Sequence, residues 1–348
     1  MSAVAEAPLA DFCRAVLAAA GADEATAEAA TAAMLHASRL GVDSHGVRLL
    51  EHYVRGLEGG RLNGRPHLEL LSERGATAVL DADHAHGALA AYTAMDHAVR
   101  LAKRLGVGAV SIRNTSHFGP AGAFALRAAE HGMIGLVTSN SDAFMRLHDG
   151  AECFHGTNPI AVAVPVAGED PWLLDMATSA ITYNRIQRQK ALGQPLPSGV
   201  ASTEDGADAT DPGRASMLAP LGGDYGFKGA GLAGLVEVLS VVLAGMRPSR
   251  EILPMNGPDF ATPRGLGAFV LALDPGFFGA PDGFAAGMRH YRETLRACAP
   301  RPGREVLAPG DREWSEGRRR REEGIPLDPE TIEAFARLAG RYGLTMPA

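Results

Sequence analysis

The 348-residue chain predicts an α/β fold with a mixed sheet. Three observations carry this expectation. Short apolar runs of strand character alternate with longer segments of helical periodicity. The composition, 46% hydrophobic and 21% charged residues, is that of a folded protein and too apolar for a disordered one. The length is enough to bury a large core and suggests roughly two or three lobes.

In chain order, Leu9 to Ala19 and Glu24 to Leu40 read as amphipathic helices, and Val47 to Leu57 continues the helical pattern after Asp43-Ser44. His67 to Leu71 and Ala76 to Leu80 read as a hairpin with Gly75 in its turn. Ala88 to Leu105 is a helix, Val107 to Ile112 a short strand, and Ala121 to Glu130 a further helix. Strands follow at Ile134 to Thr138, Ile160 to Val166 and Trp172 to Leu174. Gly193 to Arg214, rich in Gly, Pro, Asp and Ser, reads as a surface loop. Gly231 to Gly245 reads as a buried apolar helix, Ala268 to Leu273 as a strand, and Pro329 to Tyr342 as the final helix. The basic run Arg318 to Arg321, with Glu nearby, reads as a solvated helix face.

Several function classes are excluded. A net charge of −7 argues against a general nucleic-acid binder, which needs a basic surface to displace counterions. Cys13, Cys153 and Cys298 form no CxxC pair and fit a reducing compartment. The N-terminus, MSAVAEAPLADFCRAVLAAAG, is acidic and lacks a signal-peptide pattern, so a cytoplasmic location is expected. No apolar run approaches the roughly 20 residues that span a bilayer. No GxSxG elbow supports hydrolase chemistry. Asp81, Asp83, His84 and His86 read as a polar turn before a helix, and no metal site is expected.

Four segments carry chemistry. Gly229-Ala-Gly231-Leu-Ala-Gly234 matches GxGxxG, but the residues before it, GGDYGFK, are polar and turn-like. The strand that a dinucleotide fingerprint requires is missing. Lys228 before a helix start is still an anion-binding arrangement, because free N–H groups and the helix dipole favour a phosphate. In Asp43-Ser44-His45-Gly46-Val47-Arg48, a His in the first turn of a helix is kept neutral by the dipole, with Arg48 one turn along the same face. Such a pair can donate a proton and hold a carboxylate. His117 lies in Asn114-Thr115-Ser116-His117-Phe118-Gly119-Pro120, at a strand end where α/β sheets place their sites. In Thr138-Ser139-Asn140-Ser141-Asp142, the Asp142 carboxylate is placed to orient a His and set its tautomer.

Together the segments DSHGVRLLEHY, NTSHFGPAGAFA, SNSDAF, GTNPIAVAVP, LDMATS, TDP before APLGG, KGAGL and APGDRE resemble, in that order, the type-2 malate/L-lactate dehydrogenase family. The resemblance spans about residues 10 to 325. It implies a non-Rossmann mixed-sheet dehydrogenase fold with a helical lobe built from both termini, in keeping with the missing fingerprint. Expected lobes are 1–75 with 300–348, carrying His45; 76–120 with 255–299, for substrate and dimerisation; and 121–254, for the cofactor.

The resemblance further implies a nicotinamide cofactor, NAD or NADP with NAD the first choice, a small-molecule acid substrate, and a homodimer with the site near the subunit contact. Cofactor contacts are expected at Ser141, Asp175, Met176, Ala177, Thr178, Ser179, Lys228, Gly229, Gly310, Asp311 and Arg312. Ser44 and Arg48 are expected to hold substrate. His45 and His117 are the acid–base candidates, with Asp142 orienting the second. The implied reaction moves hydride to or from C2 of a 2-hydroxy or 2-oxo acid. A cyclic imine carboxylate is the alternative substrate, and a non-catalytic metabolite binder the alternative of another class. Three departures stand out: a lengthened LGGDYGFKG, no His before the strand in GLGAFVLALDP, and AITYNRIQRQK, whose Arg185 or Arg188 bears on a 2′-phosphate.

Overall fold

The structure, a computed structural model, describes residues 3–347. At its centre is a seven-stranded sheet: β1 (Glu69–Arg74), β2 (Thr77–Asp81), β3 (Val107–Thr115), β4 (Ile134–Ser139), β5 (Ile160–Val164), β6 (Trp172–Met176) and β7 (Leu266–Leu273). The spatial order is β1-β2-β3-β7-β4-β5-β6. The β2–β3 pair is parallel and the other neighbours are antiparallel. A parallel pair needs a crossover, and α4 (Gly87–Leu105) supplies it. β7 comes from late in the chain and closes the middle of the sheet, Val270 pairing with Val110 on one side and Val137 on the other.

Helices α4 and α5 (Ala121–Ala129) lie on the sheet with inward faces built mainly of alanine, among them Ala90, Ala94, Ala98, Ala125 and Ala128. Small side chains let the backbones approach closely. A Cβ at Gly108 of β3 would lie 2.0 Å from the Ala98 carbonyl oxygen, and one at Gly135 of β4 would lie 2.3 Å from that of Ala125. Glycine is therefore required at both contacts.

A second core joins the chain ends. Leu9, Phe12 and Val16 of α1 (Glu6–Ala19) meet Met34 of α2 (Glu24–Arg39), Leu50 and Tyr53 of α3 (Leu50–Gly59), and Phe335 and Leu338 near the C-terminus. Asp23 caps α2 by accepting from the Thr26 N–H. A third, smaller core gathers Met145, Leu196 and Leu218 with Ile186 of α6 (Tyr183–Ala191) and Ala233 of α7 (Phe227–Glu237). Near the C-terminus, α8 (Pro281–Arg296) and α9 (Asp311–Glu323) precede α10 (Pro329–Tyr342), capped by Asp328.

Three expectations need correction. The Val47 to Leu57 helix is two short 3-10 turns, Asp43–His45 and Val47–Leu49, before α3 begins at Leu50. The apolar helix spans α7 and a π turn at Val238–Val242 and is not buried all round. Ala233, Val236 and Val241 face inward, while Leu235 and Val242 are 50% and 69% exposed. Arg320 departs from its solvated neighbours: it is buried and donates to Asp43 and to the Ser38 carbonyl, fixing the turn that carries Ser44 and His45.

Candidate active site

His45 and His117, 72 positions apart, come together with ring centroids 5.8 Å apart and planes 24° from parallel. His45 is delivered by the first 3-10 turn, and His117 by the loop between β3 and α5. Each ring uses its Nδ1 on a hydroxyl. Ser44 Oγ lies 2.9 Å from Nδ1 of His45, and Tyr53 Oη lies 2.9 Å from Nδ1 of His117. Neither Nε2 has a hydrogen-bond partner among the described residues. A hydroxyl can donate to or accept from an imidazole nitrogen, so each ring can hold its proton on either nitrogen.

Tyr53 is held from behind. It is buried on α3, its ring edge-on to His86 at 4.1 Å. His86 accepts from the Ala88 N–H and starts α4, so the DADHAH segment is a structural turn. No group of three or more metal-ligating side chains occurs among the described residues.

Burial shifts the histidines. It lowers the His45 pKa. His117 is pushed well below the ordinary 6.5, first by burial, then by His45, His52, Arg264 and His86. His52 falls to about 4 and His86 to about 3, again chiefly through burial. Both candidate rings are therefore neutral near pH 7. For His45 the cause is burial; no α-helix starts at this residue to supply the expected dipole.

A narrow cleft beside His117 is lined by His52, Tyr53, Ser116, Arg61 and Arg264. A wider cavity, about 380 Å³, lies elsewhere, beside the Gly223 turn. Its wall carries Asp149, Asp208 and Asp224 against Arg146 and His148, and neither candidate His lines it.

Two expected placements fail. Asp142 does not bond to His117: its carboxylate accepts from Arg264 and, at 3.1 Å, from the Met255 N–H. Arg48 is not free beside His45: its guanidinium bonds Glu330 and lies 3.8 Å from Asp328, both at the start of α10. The cause is tertiary, because a partner about 280 residues away leaves no mark near position 48. Sequence reasoning also passed over Tyr53 and Arg264. A tyrosine on the buried face of a helix that follows a His, and a lone Arg just before an apolar strand, were the available signals.

The expected cofactor residues converge from separate segments. The Thr157 N–H donates to Ser141 Oγ at 3.1 Å, and Thr178 Oγ1 donates to the Thr157 carbonyl. The Leu221 N–H reaches the Thr178 carbonyl, and the Gly229 N–H reaches the Leu221 carbonyl. A Cβ at Gly229 would strike the Leu221 backbone at 2.3 Å, so glycine is needed there. Ser179 bonds the Ile181 carbonyl, while Met176 and Ala177 lead from β6 into this knot. Asp175 on β6 accepts from the Gly122 N–H at 2.8 Å. Gly310, with φ +95°, packs against Leu173 two residues earlier on that strand.

These residues fit an anionic dinucleotide. Lys228, the second residue of α7, is exposed, sits over the Tyr225 and Phe227 rings, and has no acidic partner among the described residues. Arg312 is likewise exposed and unpaired among them. Asp311 departs from expectation, because its carboxylate is spent on Arg296, Arg292 and the Ala308 N–H.

Comparison with known proteins identifies the family and the fold. The malate/L-lactate dehydrogenase family model matches residues 4–336. The chain is 31% identical over 319 residues to malate dehydrogenase of Pyrococcus abyssi, covering 89% of this chain and 87% of the relative. It is 32% identical to the NAD(+) ureidoglycolate dehydrogenase of Escherichia coli strain K12, over 84% and 83% of the two chains. The structure of Δ1-piperideine-2-carboxylate reductase from Pseudomonas syringae superposes with a TM-score of 0.86 at 27% identity, over 97% of this chain and 100% of that one. An oxidoreductase with a mixed α/β fold, this chain belongs to the malate/L-lactate dehydrogenase family.

Proposed function

We propose that the protein interconverts a small 2-hydroxy acid and its 2-oxo acid at the His45–His117 pair, using NAD or NADP. The observation that carries this reading is His117, set in a cleft with Nδ1 on Tyr53 and Nε2 without a partner among the described residues. The nicotinamide supplies hydride to C2 in reduction and accepts it in oxidation. The proton on the C2 oxygen is exchanged with Nε2 of His117, so one hydride and one proton are gained or lost together. His45 stacks on this ring. Lys228 and the Ser141–Thr178 knot are assigned to cofactor binding, and the exposed stripe on α7 to the contact of a homodimer. A C=N bond beside a carboxylate needs the same proton placement. The likeness to the piperideine-carboxylate reductase supports that second substrate class.

The test uses oxaloacetate, pyruvate and Δ1-piperideine-2-carboxylate with each reduced cofactor. His117→Gln is expected to lower kcat by about 10²–10⁴-fold, the range of general acid–base catalysis, with His45→Gln milder. Near wild-type kcat in His117→Gln sinks the assignment. A wild-type protein that turns over none of the three sinks the function.

A further inference from the structure

We infer that Arg264 receives the anionic group of the substrate, with Asp142 as its positioning residue. This rests on the oxidoreductase reading of the His117 cleft. Two buried guanidinium groups line that cleft, each only 3% exposed. They are not equivalent. Arg61 spends both terminal nitrogens on backbone carbonyls, Met255 at 3.0 Å and Asp259, and lies over the Phe260 ring. It ties its loop down. Arg264 donates Nε to the Leu253 carbonyl at 2.9 Å and Nη2 to Asp142, while its Nη1 has no acceptor among the described residues.

Asp142 is itself fixed by the Met255 N–H, so it holds the guanidinium plane from one side and leaves the other edge for a ligand. One carboxylate directly paired against two buried cations leaves the cleft positive. A buried guanidinium with spare donors is costly until an anion fills them. The planar fork suits a carboxylate or sulfonate.

The imidazolium of His117 is disfavoured first by burial and by His45 and His52, and then by the Arg264 charge. An anion seated on Arg264 offsets the part of that effect that Arg264 contributes and so favours the protonated ring beside the bound substrate. Arg48 lies outside that cleft, is 44% exposed, and faces the carboxylates of Glu330 and Asp328.

The experiment compares wild type with Arg264→Gln, Arg264→Lys and Arg48→Gln. It measures KM and kcat for oxaloacetate, pyruvate and Δ1-piperideine-2-carboxylate. It also measures, by calorimetry, the affinity of the cofactor-loaded protein for oxamate, a 2-oxo acid analogue. Arg264→Gln is expected to raise KM and weaken oxamate by about 10- to 100-fold, the worth of charge-assisted hydrogen bonds. NADH affinity stays at the wild-type value, and the pH above which the reductive kcat/KM declines moves up toward 6.5. If Arg264→Gln fails to fold, Arg264→Lys decides: it keeps the charge, loses the fork, and should still weaken both readouts by about tenfold. A folded Arg264 variant within about threefold of wild type in both readouts overturns the proposal. So does a wild type that binds no oxamate, or an effect found in Arg48→Gln instead. Arg264-dependent oxamate binding without turnover of any substrate sinks the oxidoreductase reading and leaves the anion site standing.

Discussion

His117 has two neighbours that pull its behaviour in different directions. Burial, and then the surrounding histidines and Arg264, hold its pKa well below 6.5, while the Tyr53 hydroxyl at 2.9 Å allows Nε2 to be either protonated or free. The sign of the pH dependence follows. Oxidation needs the neutral ring, so its kcat/KM is flat above pH 6.5 and is lost as pH falls through the depressed pKa. Reduction needs the protonated ring, so its kcat/KM rises as pH falls below 6.5 and levels off only beneath that pKa. Initial rates in both directions between pH 4.5 and 8 would check this, and a midpoint at or above 6.5 in the free enzyme would contradict it. Tyr53→Phe keeps the ring packed on His86 and deletes only the hydroxyl. We expect kcat to drop by about tenfold, one hydrogen bond's worth, with cofactor affinity unchanged. Equal loss of cofactor affinity would mark Tyr53 as structural.

At the scale of elements, what was legible depended on the distance over which each feature is decided. The periodicity of α4 and of α10 is local, and both helices stand within a residue of their expected limits. The antiparallel seat of β7 between β3 and β4 is not local: its partners lie more than 120 residues upstream, and nothing inside LGAFVLAL names them. The site shows the same division. Both histidines were legible because each lies in a short polar loop beside a regular element. The Arg264–Asp142 pair and the Arg48–Glu330 pair join distant segments, so sequence spacing misplaced Asp142 and Arg48 and gave no role to Arg264 or Glu330.

Helix α7 yields a prediction of its own. Gly229 is required by the close approach of Leu221, whereas a Cβ at Gly231 would meet open space. The close approach of Leu221 gives Gly229 a packing role, and the proposed cofactor contact on this helix is Lys228 in its first turn. Lys228→Ala should raise the cofactor Kd by about tenfold or more, with kcat at saturating cofactor little altered. Nicotinamide fluorescence titration measures it, and an unchanged Kd would make the lysine an ornament of the two aromatic rings beside it.

The whole molecule presents a face that one copy does not cover. Along α7 and the following π turn, Leu232, Leu235, Val238, Val242 and Leu243 are exposed, and Tyr225 and Phe227 extend the patch. Their spacing makes them one stripe of the helical surface. Monomeric proteins rarely leave so continuous an apolar face open to water. A second copy meeting the same stripe would bury it by two-fold symmetry, the commonest closed arrangement. Such a contact would lie on the helix that carries Lys228, so association and cofactor binding would share an element. The expected solution mass is therefore two 36.3 kDa chains. Leu235→Glu with Val242→Glu puts a charge into each half of the stripe while leaving the inward Ala233, Val236 and Val241 untouched. Sedimentation should then show a single chain, with the fold retained by circular dichroism and cofactor affinity reduced. A wild type that sediments as one chain with full activity would overturn the dimer. A doubly substituted protein that still sediments as two chains would move the contact to another surface, and the exposed Phe277, Phe278 and Tyr291 around α8 would be the next to charge.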